Sequence, residues 1–149
     1  MSIIFSRRCE YGLQAMLYVA TKSQAERVMT REIAEVLRIP VHYLAKILED
    51  LSRDGLLVSY KGIGGGFALG KPATKISLLN IVEVLDGSEL MENCALGFPG
   101  CSEEHPCPAH PAWKQVKKEI IDSILSQSIA DLSPNVHDKI RSLRSSRNR

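Results

Sequence analysis

The sequence predicts a mainly α fold with a small β-hairpin, a winged helix-turn-helix followed by a long C-terminal dimerisation helix. Three observations carry that prediction. Two short helices meet at a turn around Arg38-Ile39-Pro40, and a glycine-rich segment between two strand-like runs follows directly. A later helix then carries an apolar face too broad for its own domain. Apolar residues make up 44% and charged residues 24% of the 149, which excludes wholesale disorder, and aromatics at 5% are too few for a single-strand stacking platform.

Leu13, Met16, Leu17 and Ala20 recur at i, i+3, i+4 and i+7, so the first helix is expected to bury that stripe. A polar break, Thr21 to Arg27, separates it from Thr30, read as the N-cap of a short helix over Arg31–Leu37 with Glu32 favouring its positive end. Pro40 disfavours helical geometry at the preceding residue and ends that helix. From about Val41 to Asp54 a second helix turns Leu44, Ile47, Leu48 and Leu51 inward. Its outer face holds His42, Tyr43, Ala45, Lys46, Glu49 and Arg53. A recognition helix presents its early outer residues to the major groove, so His42, Tyr43, Ala45 and Lys46 are the expected base-facing set, with Thr30 beside them. Tyr43 and Ala45 make only apolar or single hydrogen-bond contacts, so no operator sequence can be read from them.

Gly55 closes the second helix, Leu56–Tyr60 reads as a strand, and Phe67-Ala68-Leu69 reads as its return. Between them Lys61-Gly62-Ile63-Gly64-Gly65-Gly66 forms the wing, where Gly64 and Gly65 let the backbone approach a phosphate and Lys61 supplies charge. Arg7, Arg8 and Arg53 complete the expected phosphate contacts. Ser77 caps a helix that buries Leu78, Ile81, Val82 and Leu85 and ends at Gly87.

The chain therefore divides into a DNA-binding unit (1–87), a cysteine-rich loop (88–111), a dimerisation helix with its following segment (112–138) and a frayed basic tail (139–149). Trp113, Val116, Ile120 and Ile124 form the apolar stripe of the third part, widened by Ile121 and Leu125. Net charge is +2, distributed as +3 over 1–71, −5 over 72–112 and +4 over 113–149. Basic ends around an acidic middle fit an anionic partner at the ends.

Cys94, Cys101 and Cys107 cluster, whereas Cys9 stands alone and reads as a small helix residue. Zinc sites of the structural kind generally use paired ligands two to four residues apart, and no C-x-x-C occurs. Wider gaps on a loop suit an iron–sulfur cluster, for which three thiols need a fourth ligand: His110, or a group from elsewhere such as Cys9 or Glu10.

Tyr11-Gly12-Leu13, the helix pair through Tyr43-Leu44, Leu48 and Leu51, Gly55-Leu56, the string Gly62 to Gly70, the cysteine triplet and Pro111-Ala112-Trp113 together resemble the Rrf2 family of bacterial winged-helix regulators. The resemblance implies Cys94, Cys101 and Cys107 as ligands of a [2Fe-2S] or [4Fe-4S] cluster. It implies as fourth ligand either His110 or Glu10, the latter reaching in from the N-terminal helix of a partner subunit. The first gap holds six residues where five is commoner in the family. The function it implies is that of a homodimeric repressor on double-stranded DNA, its affinity set by a cluster that senses iron–sulfur status, redox state or nitric oxide.

Other classes fare worse. Gly65-x4-Gly70-Lys71 approaches a phosphate-binding loop but continues into Pro72 instead of Ser or Thr, and Phe67 stands where a dinucleotide motif needs its third glycine. The four histidines form no evident triad with a serine and an acid, so neither an enzyme nor a small-molecule substrate is expected. The Tyr11–Ala20 run is too short to span a bilayer and ends poorly for a signal peptide, which gives the expectation of a cytoplasmic protein with no membrane partner. Two alternatives stay open: a winged-helix regulator whose cysteines hold zinc or act as a thiol switch, and an adaptor that binds protein instead of DNA.

Overall fold

The computed structural model describes residues 4–146. Helices α1 (Arg7–Ala20), α2 (Thr30–Leu37) and α3 (Val41–Arg53) lead into strands β1 (Leu57–Tyr60) and β2 (Gly66–Leu69). After a 3-10 turn at Ala73–Lys75 come α4 (Leu78–Leu85), the one-turn α5 (Glu89–Glu92), α6 (His110–Ile120) and α7 (Ile129–Ser145). The strands pair antiparallel from Leu57↔Leu69 to Tyr60↔Gly66, and Val28 adds a single bridge to Phe67. The predicted winged helix-turn-helix is present.

One core spans the chain: Met16, Ile33, Leu44, Ile47, Leu48, Leu51, Leu57, Ile76, Ile81, Leu125 and Ile129 are fully buried. Helix α1 lies at its centre, and there the expected stripe shifts. Gly12, Ala15, Met16 and Val19 are buried, whereas Leu13, Leu17 and Ala20 are only half-buried. The cause is that α1 packs on α3 and α4 with one face and on α7 with another, so it needs two apolar faces. Gly12 is where α4 comes closest: a Cβ there meets Leu85 Cδ1 at 2.1 Å and Ile47 Cγ2 at 3.3 Å. Gly12→Ala is accordingly expected to overpack this contact at a cost of about 1–3 kcal/mol. Thermal unfolding checks it, at roughly 2–4 °C of Tm per kcal/mol.

Two helix ends differ from expectation. Thr30 is the first residue of α2 instead of its cap; Met29 holds the cap position and makes no side-chain bond. Helix α2 ends because Arg38 turns left-handed (φ 58°), its N–H and that of Ile39 both returning to the Ala34 carbonyl, before Pro40 is reached. The Ser77 cap holds, strengthened by Asn80, which returns its side chain to the Ser77 N–H.

The C-terminal third departs most. Helix α6 passes through a π turn at Ile121–Leu125 and stops at Ser126, and a separate helix, α7, begins at Ile129 instead of one long helix continuing. Ser128 and Asp131 cap α7 reciprocally, and Ile129 and Ile140 seat it on the core. Residues 139–145, expected to be frayed, are helical, and Arg38 of the helix-turn-helix donates to the Leu143 carbonyl (2.5 Å) and the Ser146 hydroxyl (3.2 Å) at their end. The last three residues of the expected tail lie outside the described residues.

Candidate nucleic-acid interface and metal centre

The starts of α2 and α3 and the wing line a common groove of about 490 Å³, bounded by Thr30, Arg31, Val41, Tyr60, Ile63 and Gly64 among others. His42, Tyr43 and Lys46 are exposed on α3, while Ala45 is half-buried. Tyr43 stands edge-on to Tyr11 of α1 with centroids 5.7 Å apart. Lys61 and Gly64 are exposed on the wing, with Gly65 half-buried where a Cβ would meet the Tyr60 carbonyl at 2.4 Å.

The three arginines expected on phosphates behave differently from one another. Arg8 is half-buried and engaged by neighbouring helices: its guanidinium grips the Asp50 carboxylate of α3 and donates to the Leu85 carbonyl of α4 (2.8 Å). Arg53 shares Asp50 (3.0 Å) and Arg7 pairs with Glu10 (3.4 Å), but both remain more than half exposed. A fourth arginine that carries no sequence signal, Arg27, stacks on the Tyr60 ring (3.8 Å to the centroid) and points at the Gly64 carbonyl (3.4 Å). In the sequence it only ends a polar break, three residues before a helix start, and folding alone brings it to the wing tyrosine as a cation–π pair.

The second constellation lies on the loop before α6. One ligand atom each from Cys94, Cys101 and Cys107 lie within 4.8 Å of one another. The Cys94 and Cys107 sulfurs are 3.4 Å apart, and the Cys107 N–H points at the Cys101 sulfur. His110, the first residue of α6, places Nδ1 3.3 Å from the Cys101 sulfur. Burial raises the Cys94 thiol, but the backbone N–H groups of Phe98 and Leu96 and then the neighbouring thiols outweigh it, and its pKa falls to about 7. Cys107 moves the other way, raised by burial and by Cys94.

Helix α6 holds this loop with one face. Trp113 Nε1 donates to the Asn93 carbonyl and Lys117 Nζ to the Met91 carbonyl, each at 2.8 Å. Lys114 bonds Glu103 (2.7 Å), which lowers the Glu103 carboxyl, and Glu103 lies 3.3 Å from His110 Nε2. Trp113 thus faces the loop, leaving Val116 (43% exposed) and Ile124 (48% exposed) as the open part of the expected dimerisation stripe. Cys9 takes no part: it is fully buried, and burial followed by the Asp86 charge lifts its pKa to about 12, the state of an inert packed thiol. Glu10 lies on α1 and is not among the ligand atoms gathered around the triad.

Comparison with known proteins gives a consistent picture. Residues 5–135 match the family model described as "Rrf2: Iron-dependent Transcriptional regulator". A protein of Aquifex aeolicus, by name a candidate HTH-type transcriptional regulator, is 37% identical over 92% of this chain and 95% of its own. The HTH-type transcriptional regulator IscR of Yersinia pseudotuberculosis is 32% identical over 84% of this chain and 76% of its own. Among solved structures, T. potens IscR aligns with a TM-score of 0.68 at 26% identity, covering 91% of this chain and 89% of that one. CymR, the global cysteine regulator of B. subtilis, aligns with a TM-score of 0.72 over 89% of this chain and 98% of its own, and at 23% identity that likeness speaks to the fold alone.

Proposed function

The chain belongs to the Rrf2 family of transcription regulators, not to an enzyme family, and on that premise we propose that it is a homodimeric repressor of double-stranded DNA governed by an iron–sulfur cluster. The observation that carries the reading is the convergence of three thiol sulfurs within 4.8 Å on a loop with no core of its own. The donor set suits such a group: soft thiolates, one of them already lowered toward neutrality, beside an imidazole whose Nε2 is shielded from solvent without an aligned hydrogen bond. When bound, an iron–sulfur cluster supplies a redox-active centre that oxidants or nitric oxide can alter or remove.

Cys94, Cys101 and Cys107 would hold it through Sγ, and His110 is favoured as fourth ligand because its Nδ1 already lies beside Cys101. Glu10 of the partner subunit is the alternative. The loop is stitched to the end of α5 through Met91 and Asn93, and α4 reaches the recognition helix through Arg8, which holds the Leu85 carbonyl and Asp50 together. Ordering or releasing the loop has a contiguous path to α3. His42, Tyr43 and Lys46 would face bases, with Arg7, Arg53, Lys61 and the wing backbone on phosphates. The open Val116 and Ile124 face of α6 would meet its copy in a second subunit, spacing two recognition helices about 34 Å apart, one turn of DNA.

The test is anaerobic purification with iron and sulfide analysis, then DNA affinity of loaded and stripped protein at one salt concentration. A brown protein whose affinity shifts roughly 5–150-fold on stripping is expected. Equal affinities would remove the switch. A colourless protein with stoichiometric zinc, or with a reversible Cys94–Cys107 disulfide, would favour the thiol-based reading that the 3.4 Å sulfur separation also permits.

A further inference from the structure

We infer that Glu103, clamped by Lys114, is the positioning residue that fixes the tautomer of His110 and thereby aims its Nδ1 lone pair at the cysteine triad. The inference rests on the reading of His110 as the fourth ligand and goes beyond it to residues with no ligand role of their own.

The geometry runs through both ring nitrogens. On one side Nδ1 is 3.3 Å from the Cys101 sulfur. On the other, Nε2 is shielded from solvent, and the Glu103 Oε1 lies 3.3 Å away but off the line of a hydrogen bond. A neutral imidazole carries one proton, so whichever nitrogen is protonated leaves the other as lone pair. A carboxylate can only accept, which makes Nε2 the protonated side and frees Nδ1 to accept from the Cys101 thiol or to bind a metal. Metal-bound histidines commonly donate their second N–H in this way, to a carboxylate that sets ring orientation and basicity.

Lys114 supplies the second half of the device. It lies four residues after His110, hence on the same face of α6, and its ammonium holds the same Glu103 oxygen at 2.7 Å. Glu103 comes from the loop between Cys101 and Cys107, so the contact also closes that loop against the helix. As an ion pair alone it is a surface feature, about two-thirds exposed on both sides, and surface pairs contribute little to stability. A merely structural role would therefore leave the histidine tautomer and the iron site untouched.

Nitrogen-15 NMR of the full-length, metal-free protein at a pH where the ring is neutral reads the tautomer directly. His110 is expected as the Nε2–H form with Nδ1 unprotonated, and Glu103→Ala or Lys114→Met is expected to relax it toward a mixture. A tautomer ratio identical in wild type and both variants would overturn the inference. In anaerobically loaded protein challenged with an iron chelator, Glu103→Ala is expected to weaken iron retention roughly 10–100-fold. The same substitution in a His110→Ala background is expected to add nothing, since Glu103 acts through the ring. A full additional loss there would overturn the inference as well. Iron-free protein would defeat the cluster reading while the NMR comparison still decides the role of Glu103.

Discussion

Cys107→Ser is expected to strip the protein of iron and of most of its regulated change in DNA affinity while leaving the fold unaltered. Its sulfur is 3.4 Å from that of Cys94, and its N–H points at Cys101, so removing it leaves two thiols where three converge. A serine hydroxyl is a poor ligand for iron that thiolates hold. The loop around it has no buried apolar residue between Met91 and Trp113, so nothing in the core registers the loss. Cys9→Ala makes the opposite prediction. That thiol is fully buried in α1 with a pKa near 12, so its removal should cost about 1 kcal/mol of stability and no iron. Iron content, DNA affinity and Tm of the two variants separate the cases. Wild-type iron in Cys107→Ser, or iron loss in Cys9→Ala, would assign the ligands differently.

What could be read before folding was whatever periodicity and turn chemistry encode locally. The apolar set Leu44, Ile47, Leu48 and Leu51 is buried as its spacing required, the hairpin falls within a residue of its strand-like runs, and Ser77 caps the helix it precedes. The cysteine triad was legible because thiols are scarce and their spacing survives as proximity on a short loop. What was not legible depends on partners distant in the chain. Arg8 reads as a free cation near a helix start, yet Asp50 and Leu85, 42 and 77 residues away, claim its guanidinium. Trp113 reads as part of an apolar stripe, yet its indole N–H is spent on the Asn93 carbonyl. Glu103 carries no motif at all, and only the turn of α6 brings His110 and Lys114 to the same carboxylate.

Helix α7 is the largest element to escape, and its contribution gives the second strong prediction: Ile129→Ala is expected to destabilise the protein by about 2–5 kcal/mol. Pro134 within the segment and the arginine-rich end argue for a loose tail, while the stripe Ile129, Leu132, Val136 and Ile140 argues for a helix seated on the core. The stripe prevails because Ser128 and Asp131 cap the helix, and the Ala130 carbonyl, to which Pro134 has no N–H to donate, is met by the Ser133 hydroxyl (3.4 Å). Ile129 is fully buried, and its N–H bonds the Ile76 carbonyl at 2.9 Å while Leu78 N–H bonds the Gln127 carbonyl at 3.0 Å. The α6–α7 corner is thereby fastened to the start of α4, and a cavity there lies between two tethered segments that cannot close over it. At roughly 2–4 °C per kcal/mol, Tm should fall by at least several degrees. Ile124, five residues earlier in the π turn and 48% exposed, provides the contrast. Within one chain its truncation should be nearly silent, but on a dimer face it should lower Tm in a concentration-dependent way, because dissociation then precedes unfolding. A deficit in Ile129→Ala that disappears at high protein concentration would place α7 in the subunit interface instead of the core.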